Sequence, residues 1–319
     1  MTETRAKGTA PAVTDAFRNR LVEDAQRTIA AGSKSFRFAS QIFDLPTRER
    51  SWLLYSWCRA CDDITDGQTL GHDAVSVDDP AERIAFLRAQ TDAALAGQAT
   101  GLAPFDALAT VAAETRIPAG LPHDHLAGFT RDAAGWTPAN EEDLLSYCYQ
   151  VAGAVGVMMA HVMGVDPSDK DTLDRASDLG IAFQLANIAR DILDDAKVGR
   201  SYIPAEWTSG ALDPLDPAQR PRLVDVARRL STLANRYRAS SKVGAARLPF
   251  RSRWAVLSAA AIYGEVATRA VKLGPAAWDQ RISISKAEKF ALVAQAFVEA
   301  LLPARDVSRS GLWTRGAAA

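Results

Sequence analysis

Cysteine is scarce in this chain. Three occur in 319 residues, at Cys58, Cys61 and Cys148. An odd, sparse set excludes a disulfide framework and fits a reducing compartment. Cys58 and Cys61 form a C-x-x-C pair, but a structural zinc site wants a second pair and a redox motif wants a βαβ setting. Neither is visible, so two half-buried thiols one helical turn apart are expected. Long apolar runs are also missing. The longest, VAGAVGVMMAHVMGV at 151–165, falls about five residues short of a membrane span. The opening MTETRAKGTAPAV is polar and lacks the apolar core of a secretory leader. Net charge is -1 without a basic run, which gives no footing for nucleic acid; any attraction to an anion must be local. Only four histidines occur, His72, His123, His125 and His161. They are scattered and form no Glu-x-x-His pair of a di-iron bundle; HDH at 123–125 reads as a helix start at the surface. These absences leave a cytoplasmic protein, with peripheral attachment to the inner face of the cell membrane still open.

Helical periodicity is abundant, and alternating strand patterns are nearly absent. It runs through 15–31, 46–66, 80–97, 102–115, 122–134, 141–164, 169–195, 218–241, 250–273 and 284–302. Gly/Pro/Asp-rich breaks fall at 67–80, 96–104, 166–169 and 207–221. Asp143, Asp169 and Ser285 are expected to start helices. No fixed-period repeat or linker appears. The expectation is one all-α domain over 15–305, with tails at 1–14 and 306–319; 48% hydrophobic residues suffice for its core.

Two acidic stretches share a grammar. In YSWCRACDDITD (55–66), Asp62 and Asp66 are four residues apart; in QLANIARDILDDAKVGRSYIP (184–204), so are Asp191 and Asp195. At helical pitch each pair lies on one face, with Cβ atoms roughly 5–6 Å apart. Arg59 and Arg190 sit just upstream, and Asp194, Lys197 and Arg200 complete the second cluster. Like charges at this spacing cost a helix only about 0.2–0.5 kcal/mol, so one pair alone could be a solvated face. The flanks argue otherwise: Leu53, Leu54, Trp57 and Ile64 surround one pair, and Leu185, Ile188 and Ile192 the other. Buried carboxylates need partners. Arginines would give plain ion pairs; a divalent cation would give more, since Mg²⁺ takes one or two carboxylates and completes its shell with water and phosphate oxygens. The expectation is that acid and base here are not each other's counter-ions but grip one diphosphate together, through metal and directly. An allylic diphosphate would ionise in such a site, and its cation would need a dry, apolar cavity. Gly153 and Gly156 interrupt a helical pattern at about 1 kcal/mol each, keeping space for a neighbouring backbone or a long chain. Aromatic faces from Phe36, Tyr147, Phe183, Tyr202 and Tyr263 could stabilise a cation, though each is also ordinary core material.

In combination, SKSF (33–36), YSWCRACDDITD, GFTRD (128–132), YCYQVAGAVG (147–156) and QLANIARDILDDAKVGRSYIP identify the chain as similar to the squalene and phytoene synthases. The resemblance is collinear over about 30–270 and closest to the bacterial phytoene-forming branch. It implies a class I terpenoid-synthase fold, all-α, with the two acidic motifs facing a central cavity. By position, Asp62, Asp66, Asp191 and Asp195 match ligands of Mg²⁺ (Mn²⁺ as alternative) and catalytic positions. Ser33, Lys34, Ser35 and Phe36 match the segment that holds diphosphate. Tyr55, Arg59, Gln184, Asn187, Arg190, Arg200 and Tyr263 match substrate-binding positions, and Tyr147 a tyrosine implicated in proton removal or cation steering. The implied reaction joins two C20 prenyl diphosphates head to head through a cyclopropylcarbinyl diphosphate, without NADPH, at the first committed step to carotenoids. The alternatives are a C15 dehydrosqualene or squalene synthase and a non-catalytic assembly factor of the same fold. Expected partners are the prenyl diphosphates, no nucleic acid, the membrane surface, and a desaturase that takes the product. GFTRDAAGW departs from the family's more acidic or methionine-rich run; Asp132 still matches, and Arg131 is expected at the mouth.

Overall fold

The computed structural model describes residues 15–67, 79–208 and 210–316, with Lys34 and Ser35 described by backbone alone. The expected N-terminal tail, His72 and most of the 67–80 break lie outside the described residues. Among those described there is no strand, as the missing alternation predicts. Twelve α-helices follow in order: α1 (Asp15–Gly32), α2 (Lys34–Ser40), α3 (Leu45–Asp66), α4 (Pro80–Leu95), α5 (Ala103–Thr115), α6 (Gly120–Ala133), α7 (Glu141–Cys148), α8 (Ala154–Val162), α9 (Lys170–Lys197), α10 (Arg220–Ala245), α11 (Phe250–Lys272) and α12 (Lys286–Leu301).

Local chemistry sets the ends that matter for the site. Asp44 caps α3 by accepting from the Thr47 N–H. Gly67, left-handed at φ 63°, closes α3 directly after Asp66, a backbone conformation that glycine adopts without a Cβ clash. Asp169 caps α9 by accepting from Thr172 N–H, and Ser285 caps α12 in a full capping box with Glu288. Asp143 does not start α7: Asn140 does, accepting from the Asp143 N–H, while Asp143 reaches back to the Ala139 N–H. The shorter Asn-x-x-Asp arrangement outcompetes the later residue because its extended backbone aims the amide oxygen at the first turn. The HDH run is likewise not a helix start. α6 begins at Gly120 and buries His125, while His123 stays near the surface beside Asp92.

The helix expected over 141–164 is broken by a π-helical turn at Tyr149–Gly153, in which Ala154 N–H bonds to Tyr149 C=O. The glycines around it serve close approach. A Cβ on Gly156 would land on the Ala176 carbonyl oxygen, and one on Gly180 would land on that of Ala152. So α8 and α9 cross with backbones in contact, which is the first of the two uses expected for the space at Gly156. Two apolar clusters result. One gathers α1, α3, α5 and α6 around Trp57, Phe105 and Leu126; the other gathers α9, α10 and α11 around Leu185, Leu230 and Ile262. Met159 of α8 packs against both, and the cavity opens between them.

The segment expected as a C-terminal tail is anchored where it is described. Arg309 makes a two-pronged pair with fully buried Asp178 of α9 (2.8 Å each), and Arg315 pairs with Asp174 at 2.7 Å. Trp313 N–H donates to the Tyr237 hydroxyl of α10 at 3.0 Å.

Candidate active site

A cavity of about 540 Å³ runs between α3, α6, α8, α9 and α11. Its walls follow helical stripes. On α9 they run from Thr172 to Asn187 through Ala176, Gly180 and Phe183; on α3 from Ser51 to Asp66 through Leu54, Cys58 and Asp62. Fifteen residues at 1.5 Å each make both stripes about 22 Å long. Arg200, just beyond α9, donates to Asp66 at the end of α3 at 2.7 Å. The acid-bearing ends of both helices therefore lie at the same end of the cavity, and the remainder is predominantly apolar.

Of the residues predicted for the site, Ser33, Phe36, Tyr55, Arg59, Asp62, Asp66, Tyr147, Gln184, Asn187, Arg200 and Tyr263 line this cavity. Arg190, Asp191 and Asp195 do not form its wall; they stand beyond the rim on the last turns of α9. Asp195 is nevertheless in the same electrostatic cluster, with Asp191, Arg200 and Asp132 as its charged neighbours. The side chains of Lys34 and Ser35 lie outside the described residues, while Ser33 caps α2 by accepting from Phe36 N–H.

Acid and base make direct ion pairs in this structure, the simpler of the two arrangements the sequence offers. Arg59 is paired with Asp62, Arg190 with Asp191 (Nε to Oδ1, 2.7 Å) and Arg200 with Asp66. Spacings of three and one within a helix, and the shared end of α3 and α9, put each guanidinium in reach of a carboxylate. These pairs leave acid in excess. Burial and the nearby Asp66 and Asp63 charges raise the Asp62 carboxyl to about 6 against the pull of Arg59. Burial and Asp191 raise Asp195 to about 7, against Arg200. Burial also raises Asp132 to about 6, although two tyrosines donate to it. Burial is the first cause of all three shifts, and neighbouring carboxylates add to it.

Asp132 was not singled out among the predicted site residues, and it organises the centre. Tyr147 and Tyr202 hydroxyls donate to its two oxygens at 2.9 Å each, and their rings stack at 4.8 Å. Trp136 extends the stack on Tyr147 at 5.5 Å. The signal lay in GFTRD, whose aspartate falls on the inner face of α6. Its neighbour Arg131 is not part of the cavity wall: it lies over Trp136 and donates to Ser146. Phe183 and Tyr263 stack at 4.1 Å across α9 and α11. Cys58 borders the cavity and Cys61 is buried, both free, with burial pushing the Cys58 thiol up to about 12. Neither is a nucleophile near neutral pH.

The donor set suits a divalent cation that brings its own ligands. Among the described residues no three acidic, histidine or cysteine side chains converge as a ready-made cage. Mg²⁺ does not need one, because one or two carboxylates plus water and phosphate oxygens complete its octahedron. Asp62 with Asp66 and Asp191 with Asp195 offer such pairs, and the buried Oδ1 of Asn187 has no hydrogen-bond partner.

The squalene/phytoene synthase family model matches residues 29–288. Over 299 residues the chain is 44% identical to the 15-cis-phytoene synthase of Paracoccus sp. (strain N81106 / MBIC 01143), covering 92% of this chain and 98% of that one. It is 42% identical over 304 residues to the 15-cis-phytoene synthase of Pantoea ananas, with the same coverage. A crystal structure of a dehydrosqualene synthase in complex with ligand shares the fold at a TM-score of 0.76 and 24% identity, covering 88% of this chain and 96% of that one. A squalene synthase from Alicyclobacillus acidocaldarius does so at 0.71 and 19%, with coverage of 82% and 97%. The chain belongs to the squalene/phytoene synthase family.

Proposed function

We propose that this family member joins two geranylgeranyl diphosphates head to head to give phytoene, through a cyclopropylcarbinyl diphosphate. The relatives at 42–44% identity are named for that product. The observation that carries the reading is an acid- and arginine-rich end on a long apolar cavity. A geranylgeranyl main chain of sixteen carbons is about 20 Å long when extended, from bond lengths of about 1.5 Å. That matches walls of about 22 Å along α3 and α9; a C15 chain would leave the far end unfilled.

Arg59, Arg190 and Arg200 would bind diphosphate oxygens in forked fashion, with Ser33, Gln184 and Asn187 fixing its orientation. Asp62, Asp66, Asp191 and Asp195 would hold Mg²⁺, or Mn²⁺ in its place, which when bound offsets the charge developing on the departing diphosphate. Burial keeps the Tyr147 phenol protonated far above its usual range. Its oxygen can accept a proton from the allylic cation while its own proton passes to Asp132 at 2.9 Å. The Tyr147–Tyr202 and Phe183–Tyr263 stacks present π-faces to a passing cation, and the apolar walls keep water from quenching it. Proton loss without reduction leaves the central triene, so no NADPH is required. The product is a C40 hydrocarbon with no polar group, which favours work at a membrane surface and delivery to a desaturase.

The deciding experiment incubates purified protein with C20 and with C15 diphosphates, with and without NADPH, and identifies the hydrocarbon. Phytoene from the C20 substrate, abolished by EDTA and restored by Mg²⁺, is expected; Asp191→Asn should lose nearly all turnover and keep its melting temperature. A C30 product alone would overturn the C20 reading, and an inactive wild type would favour the assembly-factor alternative.

A further inference from the structure

α12 is apolar on two sides. Val293, Ala296 and Ala300 are buried against α10 and α11. The adjacent stripe, Phe290, Ala294, Phe297, Val298 and Leu301, repeats at helical spacing and points outward, with Phe290 61%, Val298 56% and Leu301 63% exposed. A soluble helix ordinarily turns polar residues outward on that side. Leu302 and Phe250 widen the patch: Phe250 is exposed at the start of α11 and meets the Phe297 ring edge-on at 5.6 Å. Contiguous exposed apolar surface of this kind marks an interaction site.

Cations outnumber acids around the patch, although Arg251 also faces Asp44 and exposed Asp306 follows Arg305. Arg37, Arg251, Lys286 and Arg305 are exposed at its edges. The two acids of α12 are spoken for: Glu288 is paired with Arg269 and Glu299 with Lys242. An apolar centre inside a cationic rim complements an anionic lipid surface, where aromatic and aliphatic side chains enter the headgroup boundary and Lys/Arg meet phosphate. At 16 residues α12 cannot cross a bilayer, and no helix among the described residues is long and apolar enough to do so; contact would be lateral. The patch also adjoins the cavity. α2 turns Phe36 and Ala39 into the cavity and presents Phe38 edge-on to Phe290 at 5.0 Å.

We propose that the outward face of α12, with Phe250 and Phe38, is the surface by which this protein docks on an anionic bilayer, so that α2 and α11 lie between the reaction cavity and the docking face. Resting on the reading of a C40 hydrocarbon product, it gives that product a route past α2 into lipid instead of water.

Flotation of the full chain tests it, using vesicles of phosphatidylcholine alone and of equal parts phosphatidylcholine and phosphatidylglycerol. The wild type should float with the anionic vesicles, less at high salt, and remain at the bottom with neutral ones. A Phe290→Asp, Val298→Asp, Leu301→Asp triple variant should lose most of the floating fraction while keeping its melting temperature and its turnover in detergent. Should that variant unfold, Lys286→Glu with Arg305→Glu must show the same loss. Wild type that stays down with every vesicle overturns the proposal, as do variants that float undiminished. Light scattering that shows a dimer broken by the triple variant, with no flotation, assigns the face to a second copy and also overturns it. Product identity in detergent is a separate reading, so failure of the phytoene assignment would leave the flotation result standing.

Discussion

At the scale of single residues, His125 shows how a side chain can be fixed by its surroundings without entering the chemistry. Its Nδ1 faces the Gln150 carbonyl of the π-helical turn at 3.3 Å. A carbonyl only accepts, so the proton is on Nδ1, and the buried Nε2 has no partner. Burial lowers the imidazole to about 4, against an ordinary 6.5. Because the folded value lies below the unfolded one, the stabilisation is present above pH 6.5 and lost as pH falls toward 4. Between pH 7 and pH 5 it should amount to about 2 kcal/mol. Urea unfolding of wild type and His125→Gln at both pH values measures it as the difference between the two proteins, because the raised carboxyls Asp62, Asp132 and Asp195 titrate in the same window with the opposite sign and are common to both. The carboxyls of the acidic cluster show a different kind of fixing. Burial raises Asp62, Asp132 and Asp195 first, and charges on other helices add to it, such as Asp132 beside Asp195, so the residues were legible in the sequence and their mutual distances were not.

Among the elements, the long helices were legible because each carries an apolar stripe at 3.6-residue spacing closed by turn chemistry; α3, α9 and α11 fall within a few residues of expectation. Two elements were not. α2 spans seven residues, too few to show a period, and owes its helix to the Ser33 cap and to packing on α11. The π-helical turn has no local signature: it exists because α6, through Gly128, and α9, through Gly180, press on the same few residues. The cavity's length could not be read from sequence either, since it depends on α3 and α9 bordering one space. That length yields a prediction. Ala176 lines the wall near the far end, eleven residues or about 16 Å from Asn187. Ala176→Phe should block the last isoprene unit, lowering kcat/KM for the C20 diphosphate at least about tenfold (about 1.4 kcal/mol) while sparing the C15 one. Equal losses on both substrates, or none, would refute a length-setting role for that position.

On the scale of the whole molecule, the two apolar clusters are joined by the α8–α9 crossing and clamped by the chain's last described residues. The clamp is an ion pair of half-buried Arg309 on fully buried Asp178. Removing one partner of such a pair strands a buried charge, so Arg309→Ala should cost about 3–5 kcal/mol in chemical unfolding. Arg309→Ala combined with Asp178→Asn should recover part of it, and a single variant within about 0.5 kcal/mol of wild type would show the strap to be ornamental. The pair has a temporal side as well. α9 bears the second acidic motif, yet the counter-charge for its Asp178 is encoded more than a hundred residues later. During synthesis that helix is therefore made long before the arginine that completes its burial. Until that arginine has been made, α9 carries a carboxylate at a buried position without its counter-charge, and its seat is incomplete.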